Sequence, residues 1–355
     1  MRPYTAILIV PTGVGAAIGG YAGDALPVAK VLAQVCDRLI THPNVLNGAS
    51  LYWNLPNASY VEGYGLDKFA SGCWGLRPVR SNKVGLLLDQ AIEPELRLRH
   101  IQAADAVRAT LGLTLTDYVI TDAPLNVELR TTASGASWGT IGNPDSLLRA
   151  AEILIKKAGA EAIAVVARFP DDMDEKAVQK YRHGEGVDPL AGAEAVISHL
   201  LVRTFQIPCA HSPALLSEPP QPDLSPRSAA EELGYTFLPC VLVGLSHAPQ
   251  FIVEKRLIAS QQEDIWVDQV DAAIVPATAC GSSALLSLSQ RQCQIITVEE
   301  NKTLIKVPPQ PLGIKAIQVN SYLEAIGVLA AHKAGINPSS LRPKLLPLQS
   351  VVINH

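Results

Sequence analysis

"VPTGVGAAIGGYAGD", residues 10–24, holds five glycines and no lysine. It follows a short apolar run, Ala6-Ile7-Leu8-Ile9-Val10, and precedes a helical stretch that begins at Ala25. A strand, a glycine-rich turn and a helix in that order open an α/β unit and usually present backbone N–H groups to an anion. Which anion, if any, this loop holds is the first question the chain raises.

Two nucleotide motifs can be tested directly. The dinucleotide fingerprint needs G-x-G-x-x-G and an acidic residue at the end of the second strand. Here the spacing is Gly13-x-Gly15-x-x-x-Gly19, one residue too long, and the next strand runs into "DRLITHPNVLNG" with no carboxylate where a ribose would sit. The phosphate-loop pattern fails because no Gly-Lys-Ser/Thr is present. NAD and ATP therefore have no motif support, and no cofactor is named. Two readings of the loop remain. Thr12, Gly13, Gly15, Gly19 and Gly20 carry a phosphate or carboxylate of a small substrate, or Gly19 and Gly20 let a helix pack close to the sheet.

Outward from this loop the same alternation repeats. Apolar runs at Ala6–Val10, Arg38–Ile40, Val84–Leu88, Tyr118–Ile120, Ala162–Val166, Cys240–Val243, Ala272–Val275 and Gln294–Val298 read as strands. Several lack polar alternation, as expected when helices cover both faces of a sheet. Helical stretches lie between them at 25–37, 93–111, 144–158, 189–204, 281–290 and 321–335. Gly112 is a C-terminal stop for the second, and Asn143-Pro144 a start for the third. The predicted fold class is α/β, with mostly parallel sheets and helices on both faces, in one lobe or two. Five prolines in "SPALLSEPPQPDLSPRSAAEE", 212–232, divide the chain into an N-terminal lobe, 1–211, a linker or surface loop, and a C-terminal lobe with a tail, 233–355.

Composition narrows the function classes. The 355 residues are 48% hydrophobic, 17% charged and 5% aromatic, with a net charge of −4. That balance gives no basic footprint for nucleic acid and few rings for base stacking. The low charge points to a buried subunit interface, most simply in a two-fold homo-oligomer. No segment reaches the ~18 apolar residues of a membrane helix, so a soluble intracellular protein is expected. Six cysteines, at 36, 73, 209, 240, 280 and 293, form no C-x-x-C and read as reduced thiols. Cys209, His211, Cys240 and His247 have the ligand types of a zinc site but not a zinc spacing, so no metal is expected. His211 and His247 read instead as polar residues flanking a cleft.

Four stretches carry chemistry. "THPNVLNGASLYWNLPNASYVEGYGLDKF", 41–69, leaves a strand end and reads as a long functional loop. His42 and Glu62 are its acid–base candidates, with Asn44 and Asn47 as substrate contacts. The alternative is a His42-Pro43 turn with asparagines capping local backbone. In "ITDAPLNVELRTTASGASWGTIGNPDS", 120–146, Asp122, Arg130, Ser134 and Ser137 surround a small-residue loop suited to an anion, or form a solvated loop. "VPATACGSSALLSL", 275–288, places Cys280 where a helix opens, with Ser282 and Ser283 beside it. A thiolate is stabilised at such a position, although cysteine is also a common core residue and Ser282 an ordinary cap. "CQIITVEEN" brings Glu299 and Glu300 to another strand end, as a base, a metal ligand pair or a solvated turn.

The motifs "GGYAGDALPVAK", "LITHPNVLNGA", "YVEGYGLDKF", "ASGASWGTIGNP", "IVPATACGSSALL" and "ITVEEN" together resemble an uncharacterised family of cyanobacteria and plant plastids, a domain of unknown function. The resemblance covers nearly the whole chain. It implies a cytoplasmic or plastid-stromal protein and carries over no catalytic residue. From the residues alone, the expected function is an enzyme transferring or hydrolysing an acyl, amide or phosphoryl group of a small anionic metabolite at strand carboxyl ends. A metabolite-binding or regulatory protein is the rival reading, and a three-lobed amidohydrolase a weaker one.

Overall fold

The run that precedes the glycine loop becomes β1 (Thr5–Leu8), an interior strand of a six-stranded sheet in the computed structural model. The structure describes residues 2–20, 25–47, 51, 53–170, 175–216, 221–232, 238–253 and 263–348. Residues 21–24 of the opening loop, 48–50 and 52 of the long loop, 217–220 of the proline-rich stretch and 349–355 of the tail lie outside them.

Around β1 stand β2 (Arg38–Thr41), β3 (Ala58–Tyr60), β12 (Val270–Pro276), β13 (Gln294–Val298) and β14 (Ala316–Val319). Their order is β14-β13-β12-β1-β2-β3, and all pairings are parallel. The chain steps outward from β1 to β3, leaves, and returns beside β1 to step outward the other way. Sheets of this doubly wound kind open a crevice at the carboxyl ends where the order reverses. The excursion builds a second parallel sheet, ordered β10-β9-β5-β6, from β5 (Val84–Leu88), β6 (Leu115–Ile120), β9 (Ala162–Arg168) and β10 (Cys209–Ala214). Two antiparallel pairs complete the strands among the described residues: β4 (Gly75–Arg77) with β11 (Gln250–Ile252), and the hairpin of β7 (Val127–Thr131) and β8 (Ser137–Ile141).

The unalternating apolar runs are explained by two-sided burial. Ala6, Leu8, Ala272 and Ile274 enter one core cluster, while Ile7, Ala273 and Val275 enter another on the opposite face. The second sheet divides likewise, with Leu86, Leu88, Ala164 and Val166 facing the cluster shared with the first sheet and Leu87, Ile163 and Val165 a third. The shared core also receives α1 (Leu26–Val35), α4 (Pro94–Leu111), α9 (Leu238–Ser246) and α11 (Tyr322–Lys333). The remaining helices are α2 (Pro43–Leu46), α3 (Gly63–Ala70), α5 (Pro144–Lys156), α6 (Glu175–Arg182), α7 (Ala191–Phe205), α8 (Pro226–Glu232) and α10 (Ser283–Ser289). The α/β class read from the sequence is the class observed.

Four expectations are corrected. The division into lobes 1–211 and 233–355 does not describe the fold, because β1 pairs with β2 and β12 in one sheet. The stretch 212–232 starts inside β10 and ends in α8 rather than linking two lobes. Cys240–Val243 is helical within α9, not a strand. An apolar run buried on all sides carries no period to tell the two apart, and Cys240 is a core residue either way. Tyr118–Ile120 is a strand but not a buried one: β6 is a sheet edge, and Tyr118 is 46% exposed.

Candidate functional site

The carboxyl ends of β1, β2 and β3 meet α7 and β10 around a cavity of about 100 Å³. Thr12 reaches it from beyond β1, and His42, Asn44 and Asn47 from beyond β2. Glu62 and Gly63 follow β3, and Asp188, Glu194, Ser198, His199 and His211 close the other side. The long 41–69 segment is thus not a loop throughout. His42 precedes α2, whose first residue is Pro43, and Glu62 is the N-cap of α3.

Glu62 is 4% exposed, and its carboxylate is fully engaged. Oε2 accepts from the N–H groups of Tyr64 (2.8 Å) and Gly65 (3.2 Å), while Oε1 lies 2.9 Å from His199 Nε2. Burial alone would lower the His199 pKa. Its hydrogen bond to Glu62 and the charges of Glu62 and Asp67 outweigh that and raise it above the ordinary value. Beside this pair, His211 Nε2 stands 3.4 Å from Glu194 Oε2 and Nδ1 stands 2.6 Å from Ser198 Oγ. In the tautomer with the ring proton on Nε2, facing the carboxylate, Nδ1 accepts from the serine hydroxyl.

His42 is of a different kind. Its Nε2 accepts from Val10 N–H at 3.0 Å, so the ring proton sits on Nδ1, which has no partner among the described residues. Burial pushes its pKa down to about 4 and keeps the ring neutral. His42 thus lines the cavity as a neutral ring beside two imidazole–carboxylate pairs, and among the described residues no lysine or arginine lines it.

Asn44 and Asn47 line the cavity while holding its walls. Asn44 Nδ2 donates to Gly19 O at 2.6 Å, and Asn47 Oδ1 accepts from Tyr60 OH at 2.5 Å. Asp188 Oδ1 accepts from Leu190 N–H at 2.8 Å where α7 begins. Asp188, Glu194, Ser198 and His199 were missed from the sequence. The available signal was a polar pair in an otherwise largely apolar helix, since Glu194 and Ser198 stand at i and i+4 on one face, with His199 next in the chain.

Several candidates lie elsewhere. The glycine-rich loop is packed against protein rather than open to an anion. A Cβ on Gly13 would lie 2.8 Å from Ser137 Oγ, and one on Gly15 2.6 Å from Gly186 O, both at left-handed φ. A Cβ on Gly19 would meet Ala25 and Val10, and one on Gly20 would stand 2.1 Å from Ala16 O. Two of the loop's N–H groups are already used, Ala17 N to Lys302 O and Ile18 N to Asn301 Oδ1. Of the loop residues proposed for substrate, only Thr12 lines the cavity. Glu300 accepts from Tyr322 N–H at the start of α11, and Glu299 pairs with Gln318. Neither carboxylate faces the cavity.

Asp122 is exposed and bound by Arg149 and Ser146, whose hydrogen bonds hold its carboxyl well below the usual range. Arg130 pairs with Glu128 and lies over Trp138, and Ser134 shares a hydrogen bond with Thr132. Ser137 Oγ accepts from Gly192 N–H at 3.0 Å. All four belong to or flank the β7–β8 hairpin, and none lines the cavity.

Cys280 does not open a helix. Its N–H donates to Val307 O, α10 starts three residues later, and Ser282 is the cap, accepting from Leu285 N–H; Ser283 begins the helix beside it. The thiol is fully buried and burial, with the Glu299 charge, pushes it up to about 11. Iodoacetamide at neutral pH is therefore expected to label exposed Cys73 first and Cys280 only on unfolding. Peptide mapping after partial alkylation checks this, and Cys280 labelling ahead of Cys73 would overturn it.

Similarity to other proteins bears on identity and location. A family described as proteins of unknown function, DUF3326, matches residues 5–342. An uncharacterised lipoprotein of Synechococcus sp. is 60% identical over 342 residues, covering 96% of this chain and 94% of that protein. No solved structure matches the chain. The relative's name corrects the expected freely cytoplasmic or stromal location, because a lipoprotein is joined to lipid. Among the described residues, no helix is long and apolar enough to cross a membrane.

Proposed function

The chain belongs to the DUF3326 family, proteins of unknown function, and on that footing we propose that it is an enzyme doing acid–base chemistry on a small uncharged or cationic molecule. The observation that carries this is the pairing, within one cavity, of Glu62 with His199 and of Glu194 with His211. The hydrogen bond and charge of Glu62 raise the pKa of His199, and each carboxylate orients its imidazole for proton transfer. The neutral His42 N–H is suited to a developing negative charge on the substrate. This reading replaces the anionic metabolite expected from the glycine loop. Glu62, Asp188 and Glu194 line the cavity, and among the described residues that line it there is no lysine or arginine, which disfavours a phosphate or carboxylate ligand. Hydrolysis or transfer of an acyl or amide group fits these residues better than phosphoryl transfer, which relies on cationic groups or metal ions to offset charge.

The test is consumption of a defined mixture of small esters, amides, amines and phosphate esters by the purified chain, followed by mass spectrometry. Loss of a neutral or cationic compound, slowed at least tenfold in Glu194→Gln, is the expected result. A compound that raises the melting temperature without being consumed would favour the rival reading, a metabolite-binding protein. Selective consumption of a phosphate ester would overturn the charge argument.

A further inference from the structure

We propose that Ser198 is a nucleophile, driven by His211 and Glu194, that forms a covalent acyl-enzyme with an uncharged or cationic ester or amide. The inference rests on the acid–base reading of the cavity and names the atom that reacts.

Three observations carry it. Ser198 lines the cavity, and its Oγ lies 2.6 Å from His211 Nδ1. The other ring nitrogen faces the Glu194 carboxylate at 3.4 Å, and the tautomer with its proton on that nitrogen leaves Nδ1 as acceptor for the serine hydroxyl. The hydroxyl, the imidazole and the carboxylate thus form one relay, in which the base is oriented by a third group. The two ring nitrogens exchange the places they hold in the serine-protease arrangement, but the charges fall in the same order. The sequence scatters these residues across α7 and β10, and no local motif contains them.

The step balances without an added co-reactant other than water. Ser198 Oγ bonds to the carbonyl carbon while its proton passes to His211 Nδ1. The carbonyl oxygen becomes an oxyanion, for which His42, a neutral ring among the residues that line the cavity, is the candidate donor. Collapse breaks the carbon–oxygen or carbon–nitrogen bond, and the leaving alcohol or amine takes the proton from His211. Water then attacks the acyl group, gives a proton to Nδ1, and releases the acid as that proton returns to Ser198. Glu194 touches no reacting atom and acts as a positioning residue.

The test uses the full chain and a fluorophosphonate probe. The wild type should be labelled at Ser198 by peptide mapping, and Ser198→Ala should not be labelled. In Glu194→Gln the labelling rate should fall about 100-fold or more. Glu194→Asp, which keeps a carboxylate beside the imidazole, should recover part of that rate, whereas Glu194→Gln should not. A merely structural role for Glu194 would leave the near-isosteric Glu194→Gln labelled at the wild-type rate. Should Ser198→Ala fold poorly, Ser198→Cys gives a second measurement: its new thiol, beside His211, should react with iodoacetamide faster than Cys73. Labelling at another residue, or a Ser198→Cys thiol slower than Cys73, overturns the proposal. If the wild type consumes a compound of the mixture and Ser198→Ala does so equally well, the nucleophile fails while the acid–base reading stands. If the wild type neither consumes a compound nor takes the label, both fail.

Discussion

Gly192→Ala is expected to destabilise the protein by about 3 kcal/mol or more, measured by urea unfolding. A Cβ at this position would lie 2.1 Å from Trp138 Cα, 2.4 Å from Trp138 N and 2.6 Å from the Ser137 carbonyl carbon. These are backbone atoms of β8, and they cannot rotate away as a flexible side chain would. The glycine N–H also donates to Ser137 Oγ at 3.0 Å, so the first turn of α7 is held against the hairpin. Pushing α7 off β8 displaces Glu194, Ser198 and His199 with it, so activity should fall even in variant protein that remains folded. Gly327→Ala is the control. Gly327 lies inside α11, and a methyl group there would have nothing within 4 Å, so alanine should be neutral or stabilising by about 0.5–1 kcal/mol. Equal midpoints for the two variants would show that the close approach at Gly192 is not tight.

Acid should destabilise the protein through His42. Its folded pKa is pushed down to about 4, against about 6.5 in an unfolded chain. Between those values the unfolded state binds a proton that the folded state does not, so stability is lost as pH falls through that window. The difference of about 2.5 units corresponds to roughly 3 kcal/mol, fully present above pH ~6.5 and gone below pH ~4. His42→Gln keeps an acceptor for Val10 N–H and removes the titration. Its unfolding free energy should depend on pH less steeply than the wild type by about one proton near pH 5. Glu62, Asp188, Glu194, His199 and His211 line the same cavity and are common to both proteins, so the difference between the two curves isolates His42. Parallel curves would show that His42 is not held neutral.

His199 gives the opposite sign. Its pKa is raised, so the stability from its pair with Glu62 is complete below the ordinary imidazole value and fades as pH rises through the folded one. The two histidines of one cavity therefore respond to pH in opposite senses.

Much of the fold was legible locally. Val84–Leu88 and Gln294–Val298 coincide with β5 and β13, because a parallel strand covered on both faces is written as an unbroken apolar run. The boundaries of α4 follow from Pro94 at its first position and Gly112 at left-handed φ beyond its end. The run at Cys240–Val243 was misread because a helix buried all round leaves the same trace as a buried strand. Sheet order was not legible either, since Thr5 of β1 pairs with Val270, near the far end of the chain, and nothing in either run names its partner.

The site divides along the same line. The sequence determined that polar residues leave β2 and precede α3, because His42 and Glu62 interrupt an apolar context at strand ends. It also determined that the opening loop needs glycine. Only the tertiary structure decided what Gly13 and Gly15 pack against: a side chain at either would meet Ser137 or Gly186. It alone brought Glu62 to His199 and His211 to Glu194 and Ser198. The physical reason is that a side chain's charge state and role depend on what stands within a few ångströms of it. Those neighbours come from β3, α7 and β10, which are joined by packing and not by any local pattern in the chain.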